Sequence, residues 1–168
     1  MALETGYGPV LNAGAPSAGT SQIWTLTFGS GTTTGNFKIT FDGYTTDNIA
    51  WSSTNATLVA NIDAALGALS SVNGAANVTT AVATMTSGIG TITVTAAGDL
   101  AAKALGAITV NTQTTGGTLS IATTTAGVDA TGRGLAKGAL LIDTSNGILY
   151  INTGTAVAPT WTKVGTQT

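Results

Sequence analysis

The fold is decided by residues 23–41, IWTLTFGSGTTTGNFKITF, where two runs of alternating side chains flank a loop rich in glycine and threonine. Large apolar residues alternate with threonines along Ile23–Phe28. In the second run, Phe37, Ile39 and Phe41 share one face. Successive side chains of a strand point to opposite faces, so this period of two predicts a pair of β-strands with one buried face.

One stretch further along the chain has helical spacing instead. Its apolar residues recur every three or four positions, at Leu58, Ile62, Leu66 and Leu69. This spacing predicts one helix, from about Ser53 to Ser71. Thr54 or Asn55 is expected to cap its first turn, and Asn73-Gly74 is expected to end it, because these residues tolerate a positive φ.

The remaining apolar runs predict more strands, separated by glycine-rich turns. We expect them at residues 49–51, 77–86, 91–95, 108–110 and 119–122, with one helical turn or a loop over 99–106. The fold class is therefore α+β and mainly β, with the helix packed on a mostly antiparallel sheet. Residues 23–126 are expected to form this body, followed by a polar, glycine-rich linker over 127–134.

The last segment, residues 135–168, has the pattern of a small β-hairpin unit. Two apolar runs, 139–143 and 148–152, flank Thr144-Ser145-Asn146-Gly147, and 160–164 supplies a third strand. Asn-Gly between apolar runs predicts a type I′ turn, which needs a positive φ at both positions. A unit of this size buries little apolar area by itself. We therefore expect it to dock on the body or to be completed by other copies of the chain.

The first segment, residues 1–22, is rich in Gly, Pro, Ala and Ser and is expected to be an extended N-terminal arm. It is either a disordered tail or an arm that becomes ordered on a partner, and Tyr7, Val10 and Leu11 favour the second interpretation. It lacks the basic and apolar regions of a signal peptide. No run approaches the roughly 18 apolar residues of a membrane span, so no membrane partner is expected.

The composition of the chain is unusual for a freely diffusing protein. Only 7% of the 168 residues are charged, and the net charge is -2, whereas about one residue in five is threonine. Freely diffusing domains usually carry about 25% charged residues. The few basic residues are scattered along the sequence, so no nucleic-acid partner is expected. A neutral, hydroxyl-rich surface suits a protein that packs against neighbours, although a secreted domain with such a face is the alternative.

Candidate chemistry is sparse. The chain has no histidine and no cysteine, which removes the commonest general base and the commonest nucleophile. The carboxylates are scattered, but Asp42 and Asp47 could approach each other across a loop as a hydrolytic pair. Turn formation explains an Asp before Gly43 far more simply. The sequence therefore predicts a protein that is not an enzyme and that holds no metal and no cofactor.

Two stretches resemble structural proteins of tailed bacteriophages. In the body, the resemblance lies in the strands of 24–41 and in three motifs that follow: TTDNIAW (45–51), ANIDAALGAL (60–69) and NVT (77–79). Near the C-terminus, KGALLID (137–143) and PTWTKVG (159–165) are similar to the tail of phage head-decoration and fibre-like proteins. Ala139 and Leu141 stand where that pattern often has Asp and Tyr. The resemblance covers most of 23–168 and implies no catalytic residues.

This resemblance implies a capsid decoration protein, made in the host cytoplasm and located on the outer capsid surface of the virion. Its expected partners are the major capsid protein and further copies of itself, as a homotrimer. The alternative is a fibre, receptor-binding or tail module that contacts host glycans through exposed aromatics such as Trp51 and Trp161. The predicted interface residues are Tyr7, Val10, Leu11, Leu140, Tyr150 and Trp161.

Overall fold

The computed structural model describes residues 11–13 and 15–166 and is mainly β, with one α-helix and two short 3₁₀ turns at Ala75–Asn77 and Gly98–Leu100. The helix is α1 (Asn55–Gly67). The strands are β1 (Leu11–Ala13), β2 (Ile23–Phe28), β3 (Thr34–Phe41), β4 (Tyr44–Thr45), β5 (Ile49–Ala50), β6 (Val78–Thr86), β7 (Ile89–Ala96), β8 (Ile108–Thr115), β9 (Leu119–Thr125), β10 (Leu140–Asp143), β11 (Ile148–Asn152) and β12 (Trp161–Lys163). Within these residues, no helix is long and apolar enough to cross a membrane.

The chain divides into two compact units. One, the body, is Ser21–Val128. The other, the terminal unit, consists of the described residues up to Thr20 and those from Asp129 onward. The terminal unit thus takes in residues 15–20 and 129–134, which the sequence assigned to an arm and a linker. Ala130, from that expected linker, is buried.

The core of the body lies between two sheets, and each sheet contains one of the two strands predicted within residues 23–41. β2 belongs to a sheet of order β6-β7-β2-β9, whereas β3 belongs to a second sheet, with β4 and β5 on one edge and β8 on the other. The strands of both sheets are antiparallel. Edge-to-face ring contacts connect the two sheets: the centroids of Trp24 and Phe41 are 5.4 Å apart, and those of Phe28 and Phe37 are 5.5 Å apart. The alternation along 23–41 therefore predicts the two strands correctly. These strands belong to different sheets, however, and face each other across the core.

Two-residue turns fix the register of two hairpins in the body. Asp42-Gly43 joins β3 to β4, and Ser87-Gly88 joins β6 to β7. All four residues have a positive φ. A positive φ at both central positions is the type I′ geometry, whose twist matches that of the flanking strands.

The helix covers an edge of the core and is shorter than the apolar spacing predicted. Leu58, Ile62 and Leu66 are buried, and α1 contacts β6 and β5. The regular helix ends at Gly67, where a Cβ atom would lie 2.9 Å from Ala75 Cα, so the close passage of residue 75 leaves no room for a side chain at this position. Asn73 and Gly74 have a positive φ, as expected, and end the irregular turns that follow.

The predicted cap is also different. Thr54 occupies the N-cap position, but its side chain makes no capping hydrogen bond. The Asn55 side chain reaches away from the helix: its Nδ2 donates to the Met85 carbonyl at 3.2 Å, and its Oδ1 accepts the Gly88 N–H at 2.9 Å. Asn55 therefore fixes the start of the helix to the β6–β7 turn.

The sheet of the terminal unit has the order β1-β10-β11-β12. The hairpin of β10 and β11 and the third strand β12 lie where the sequence predicted them. The pairing of β1 was not predicted: it is parallel to β10 and aligns Leu11 with Leu141. Part of the expected arm therefore adds a strand to this unit of its own chain.

The predicted type I′ turn at Asn146-Gly147 is wrong. Asp143 pairs with Ile148, so the loop has four residues, and only Gly147 has a positive φ. The Gly147 N–H donates to the Asp143 carbonyl at 2.7 Å. The Asp143 carboxylate also accepts the backbone N–H groups of Ser145 and Asn146 at 3.0 and 3.2 Å. These bonds stabilise a wider loop than the dipeptide alone would adopt.

Candidate interaction surfaces

The residues predicted as an interface fall in three different places. Tyr7 and Val10 lie outside the described residues. Leu11 belongs to β1, and its backbone aligns with Leu141. Leu140, Tyr150 and Trp161 are in the sheet of the terminal unit. Tyr150 and Trp161 share one face, because pairing places them beside the buried Leu141 and Asn152, whereas Leu140 lies on the opposite face.

Leu140 belongs to a surface that we call the apolar face, on the outer side of the β10-β11-β12 ladder. Leu140 pairs with Ile151, and Ile142 pairs with Leu149. The Val164 N–H donates to the Leu149 carbonyl at 3.0 Å, so Val164 continues the row. Leu140 and Ile142 are each 37% exposed, and Val164 is 38% exposed. Adjacent exposed aliphatic side chains of this kind mark a site of interaction more often than single ones do.

The opposite side of this ladder is held by a buried amide. Asn152 is 1% exposed, and its Nδ2 donates to the carbonyls of Leu135 and Ala136 at 2.8 and 3.3 Å. Its Oδ1 accepts the N–H groups of Gly154 and Thr160 at 2.9 and 3.0 Å. One side chain thus satisfies four backbone groups of the loops before β10 and between β11 and β12, which gives the apolar face a rigid support.

Asp143 provides a second polar anchor next to the apolar face. Its side chain is buried and accepts a hydrogen bond from Asn146 Nδ2 at 2.7 Å. This bond, with those from the backbone N–H groups of Asn146 and Ser145, lowers the pKa of Asp143 below its ordinary value of 3.8, although burial acts in the opposite direction. The carboxylate is therefore ionised at neutral pH and serves the turn.

Trp161 lines a cleft of about 240 Å³ with Pro16, Ser17, Ala18, Pro159 and Thr160. Its indole N–H donates to the Thr131 carbonyl at 2.7 Å, and the backbone of Ser17 and Thr131 is joined by a bond of 2.9 Å. The ring is half-buried, so its main role is to hold the chain segments of the terminal unit together.

The outer side of the first sheet of the body is a threonine face. Thr25 and Thr27 of β2 pair with Thr93 and Thr91 of β7, which in turn pair with β6. Hydroxyl groups link neighbouring strands: Thr84 Oγ1 lies 2.6 Å from Thr91 Oγ1, and Thr25 Oγ1 lies 3.0 Å from Thr124 Oγ1. This pairing makes a flat, uncharged, hydroxyl-bearing surface.

A groove of about 520 Å³ lies in the body beside the second sheet. It is lined by Thr33, Thr34, Gly35, Asn36, Ala50, Trp51, Ser52 and Ser53. None of these residues is charged, and most carry a hydroxyl or an amide group. Trp51, named above as a candidate glycan contact, is half-buried at this groove.

The two carboxylates considered for catalysis lie in a turn and in a loop. Asp42 has a φ of 51° and occupies the β3–β4 turn together with Gly43. Asp47 follows β4 in a loop. Among the residues that the structure describes, no group of three or more acidic side chains comes together in a way that could hold a metal ion.

The interface residues predicted from the sequence include Leu140 but not its neighbours on the same face, Ile142, Leu149, Ile151 and Val164. Both β10 and β11 are apolar at nearly every position, so alternation could not show which face is covered. The pairing register supplies this information, because Leu140 and Ile151 must lie on the same side as Ile142 and Leu149.

No protein family and no curated protein matches the sequence. Among solved structures, the chain is similar to one from Mycobacterium phage Patience, with a TM-score of 0.41 and 17% sequence identity. The similarity covers 86% of this chain and 46% of the other, so this chain spans about half the length of the solved one. A likeness of this strength assigns neither a family nor an activity, and function has to be argued from the surfaces of the chain itself.

Proposed function

We propose that the protein is a capsid decoration protein of a tailed bacteriophage, which binds the outer capsid surface and reinforces contacts between major capsid subunits. The observation that carries the proposal is the apolar face, where Leu140, Ile142 and Val164 are exposed on the same side of the sheet. The phage-like motifs of 45–69 and 137–165 support the same class of protein.

The free energy of binding comes from removing this face from water. The three-stranded ladder of β10, β11 and β12, about four residues long, covers on the order of 200 Å². Two such faces stacked on each other would bury about 400 Å², which is below the roughly 1,000 Å² of a stable interface. A single apolar face therefore binds weakly, and attachment requires several faces that act together.

A homotrimer meets this requirement. It would present three apolar faces to a lattice of identical capsid subunits, and each contact would raise the effective concentration of the next. The low charge of the chain fits this role, because two nearly neutral surfaces approach without a large desolvation cost. In this proposal the protein has no catalytic role, and Asp42 shapes a turn.

The test is co-sedimentation with expanded phage heads that lack the protein. Leu140→Ser with Ile142→Ser should reduce occupancy at least tenfold, because both changes remove apolar area from the face. Val82→Ser is the matched control, since Val82 is 45% exposed and belongs to the body, whereas the apolar face belongs to the terminal unit. Full occupancy by the double variant would exclude the apolar face as the docking surface. Light scattering of the unbound protein measures its oligomeric state, and a strictly monomeric mass would exclude the trimer.

A further inference from the structure

The chain contains two Asn-Gly pairs, Asn73-Gly74 in the body and Asn146-Gly147 in the terminal unit. In such a pair the glycine has no side chain that shields its nitrogen, so this nitrogen can attack the side-chain carbonyl carbon of the asparagine. Asparagine is therefore among the thermolabile residues of proteins. Both asparagines are exposed. Exposure thus does not distinguish the two pairs, whereas the hydrogen bonds around them do.

The pair in the terminal unit is closed to this reaction. The attacking nitrogen would be that of Gly147, but its N–H donates to the Asp143 carbonyl at 2.7 Å. The amide that has to leave is held as well, because Asn146 Nδ2 donates to Asp143 Oδ2 at 2.7 Å. Each reacting group must therefore give up a hydrogen bond before the two can meet.

The pair in the body is open to the same reaction. In the part of the chain that the structure describes, neither the Gly74 N–H nor the Asn73 side chain has a hydrogen-bond partner. The pair lies between α1 and the 3₁₀ turn at Ala75–Asn77. A Cβ atom on Gly74 would meet nothing within 4 Å, so there is room for the pair to rearrange.

We propose that Asn73 is a site of spontaneous deamidation and that Asn146 is protected from it. The Gly74 nitrogen loses its proton to solvent and forms a bond to Asn73 Cγ. The Cγ–Nδ2 bond breaks, and Nδ2 takes up a proton and leaves as ammonia. Water then opens the resulting cyclic imide at either carbonyl, which leaves an aspartate or an isoaspartate. The reaction needs only water, and it does not depend on the capsid role.

Conversion of Asn73 changes the charge and the backbone at a tightly packed place. The new carboxylate adds one negative charge to a net charge of -2. Isoaspartate also adds one backbone carbon before Gly74. At the next residue the chain passes so close to the end of α1 that a Cβ atom on Gly67 would lie 2.9 Å from Ala75 Cα. We therefore expect the longer backbone to disturb this passage and to lower the melting temperature.

The experiment is to incubate the whole folded protein at mildly alkaline pH and to follow both pairs by peptide mass spectrometry. Methylation by an isoaspartyl methyltransferase identifies the isoaspartate. Asn73 should react at least about tenfold faster than Asn146, because only the second pair has two hydrogen bonds to break. In concentrated urea the two pairs should react at similar rates, since the hydrogen bonds of the folded chain are then lost.

The variant that removes the site is Asn73→Gly, because glycine adopts the φ of 58° at this position without strain. The folded variant should no longer form the acidic species, and ageing should lower the melting temperature of the unchanged protein but not of this variant. Asn146→Gly is the matched control and should leave the reaction at Asn73 unchanged. Equal rates at the two pairs in the folded protein would overturn the proposal. Persistence of the acidic species in Asn73→Gly would overturn it as well.

Discussion

Thr46 satisfies both backbone groups of Ile39. Its own N–H donates to the Ile39 carbonyl at 2.9 Å, and its hydroxyl accepts the Ile39 N–H at 3.0 Å. Thr46 is 3% exposed, so both bonds lie out of water. Thr46 thus satisfies the edge of β3 in the gap between β4 and β5, where neither strand pairs with β3.

Two buried threonines are expected to respond to the same substitution with opposite signs. Thr46→Val leaves the Ile39 N–H without a partner and should lower the free energy of unfolding by about 2 kcal/mol. Thr80 is also buried, but its Oγ1 has no hydrogen-bond partner in the described part of the chain. Thr80→Val should therefore raise the free energy of unfolding by about 1 kcal/mol. Chemical denaturation of both variants measures the difference, and equal signs would contradict this account of the two hydroxyls.

Replacing Asn152 should destabilise the terminal unit by about 3 kcal/mol, because Asn152→Ala leaves four backbone groups without their buried partner. Asn152→Asp should be at least as damaging, since it places a carboxylate against two carbonyl oxygens. Hydrogen exchange resolves the effect by element, with loss of protection expected in β10, β11 and β12. Asn111→Ala, at an exposed position of β8, is the control. An equal loss in α1 would contradict a role confined to this unit.

The stability of the terminal unit should depend on acid pH through Asp143. Because the pKa of Asp143 is lowered in the folded state, its contribution is fully present above the ordinary value of 3.8 and is lost as the pH falls through the lowered pKa. Asp143→Asn should remove this dependence, and Asn146→Ala should shift the titration back towards 3.8, because it removes the largest cause of the shift. Carbon-detected NMR of the carboxyl group follows the titration. A midpoint above 3.8 would contradict the hydrogen-bonded turn.

The function of the first residues can be tested only with a deletion that stops before β1. Removing residues 1–10 should reduce occupancy on expanded heads while both units stay folded, if this segment orders on a partner. Removing 1–22 also takes away β1 and the buried side chain of Gln22, whose Oε1 accepts the N–H groups of Leu105 and Gly127. That longer deletion should lower the melting temperature as well. Unchanged occupancy after the shorter deletion would exclude the arm.

Local signals predicted strands in both units correctly. β2 and β11 have the predicted bounds, because strict alternation and a short apolar run were each ended by glycine or asparagine. The turns at Asp42-Gly43 and Ser87-Gly88 take the type I′ geometry that the sequence assigned to Asn146-Gly147. The difference at Asn146 has a local cause: the preceding Asp143 offers its carboxylate to the loop, and this competes with the two-residue turn.

Long-range pairing could not be predicted. β1 has three residues and no alternation, and only its partner β10, far along the chain, makes it a strand. The groove beside the second sheet combines residues 33–36 with 50–53, which meet because β3 and β5 pair. In both cases the information lies in which strands become neighbours, and that depends on the packing of the whole unit rather than on a local pattern.

The chain order of the terminal unit has a consequence for biosynthesis. β1, which is made before the body, pairs with β10, which is made only after the whole of Ser21–Val128. The body can complete its core before β10, the partner of β1, has been synthesised. An early stop in translation would therefore release a folded body in which β1 is unpaired. Completion of the terminal sheet thus requires synthesis to pass Val164, so only chains made to this point present the finished apolar face.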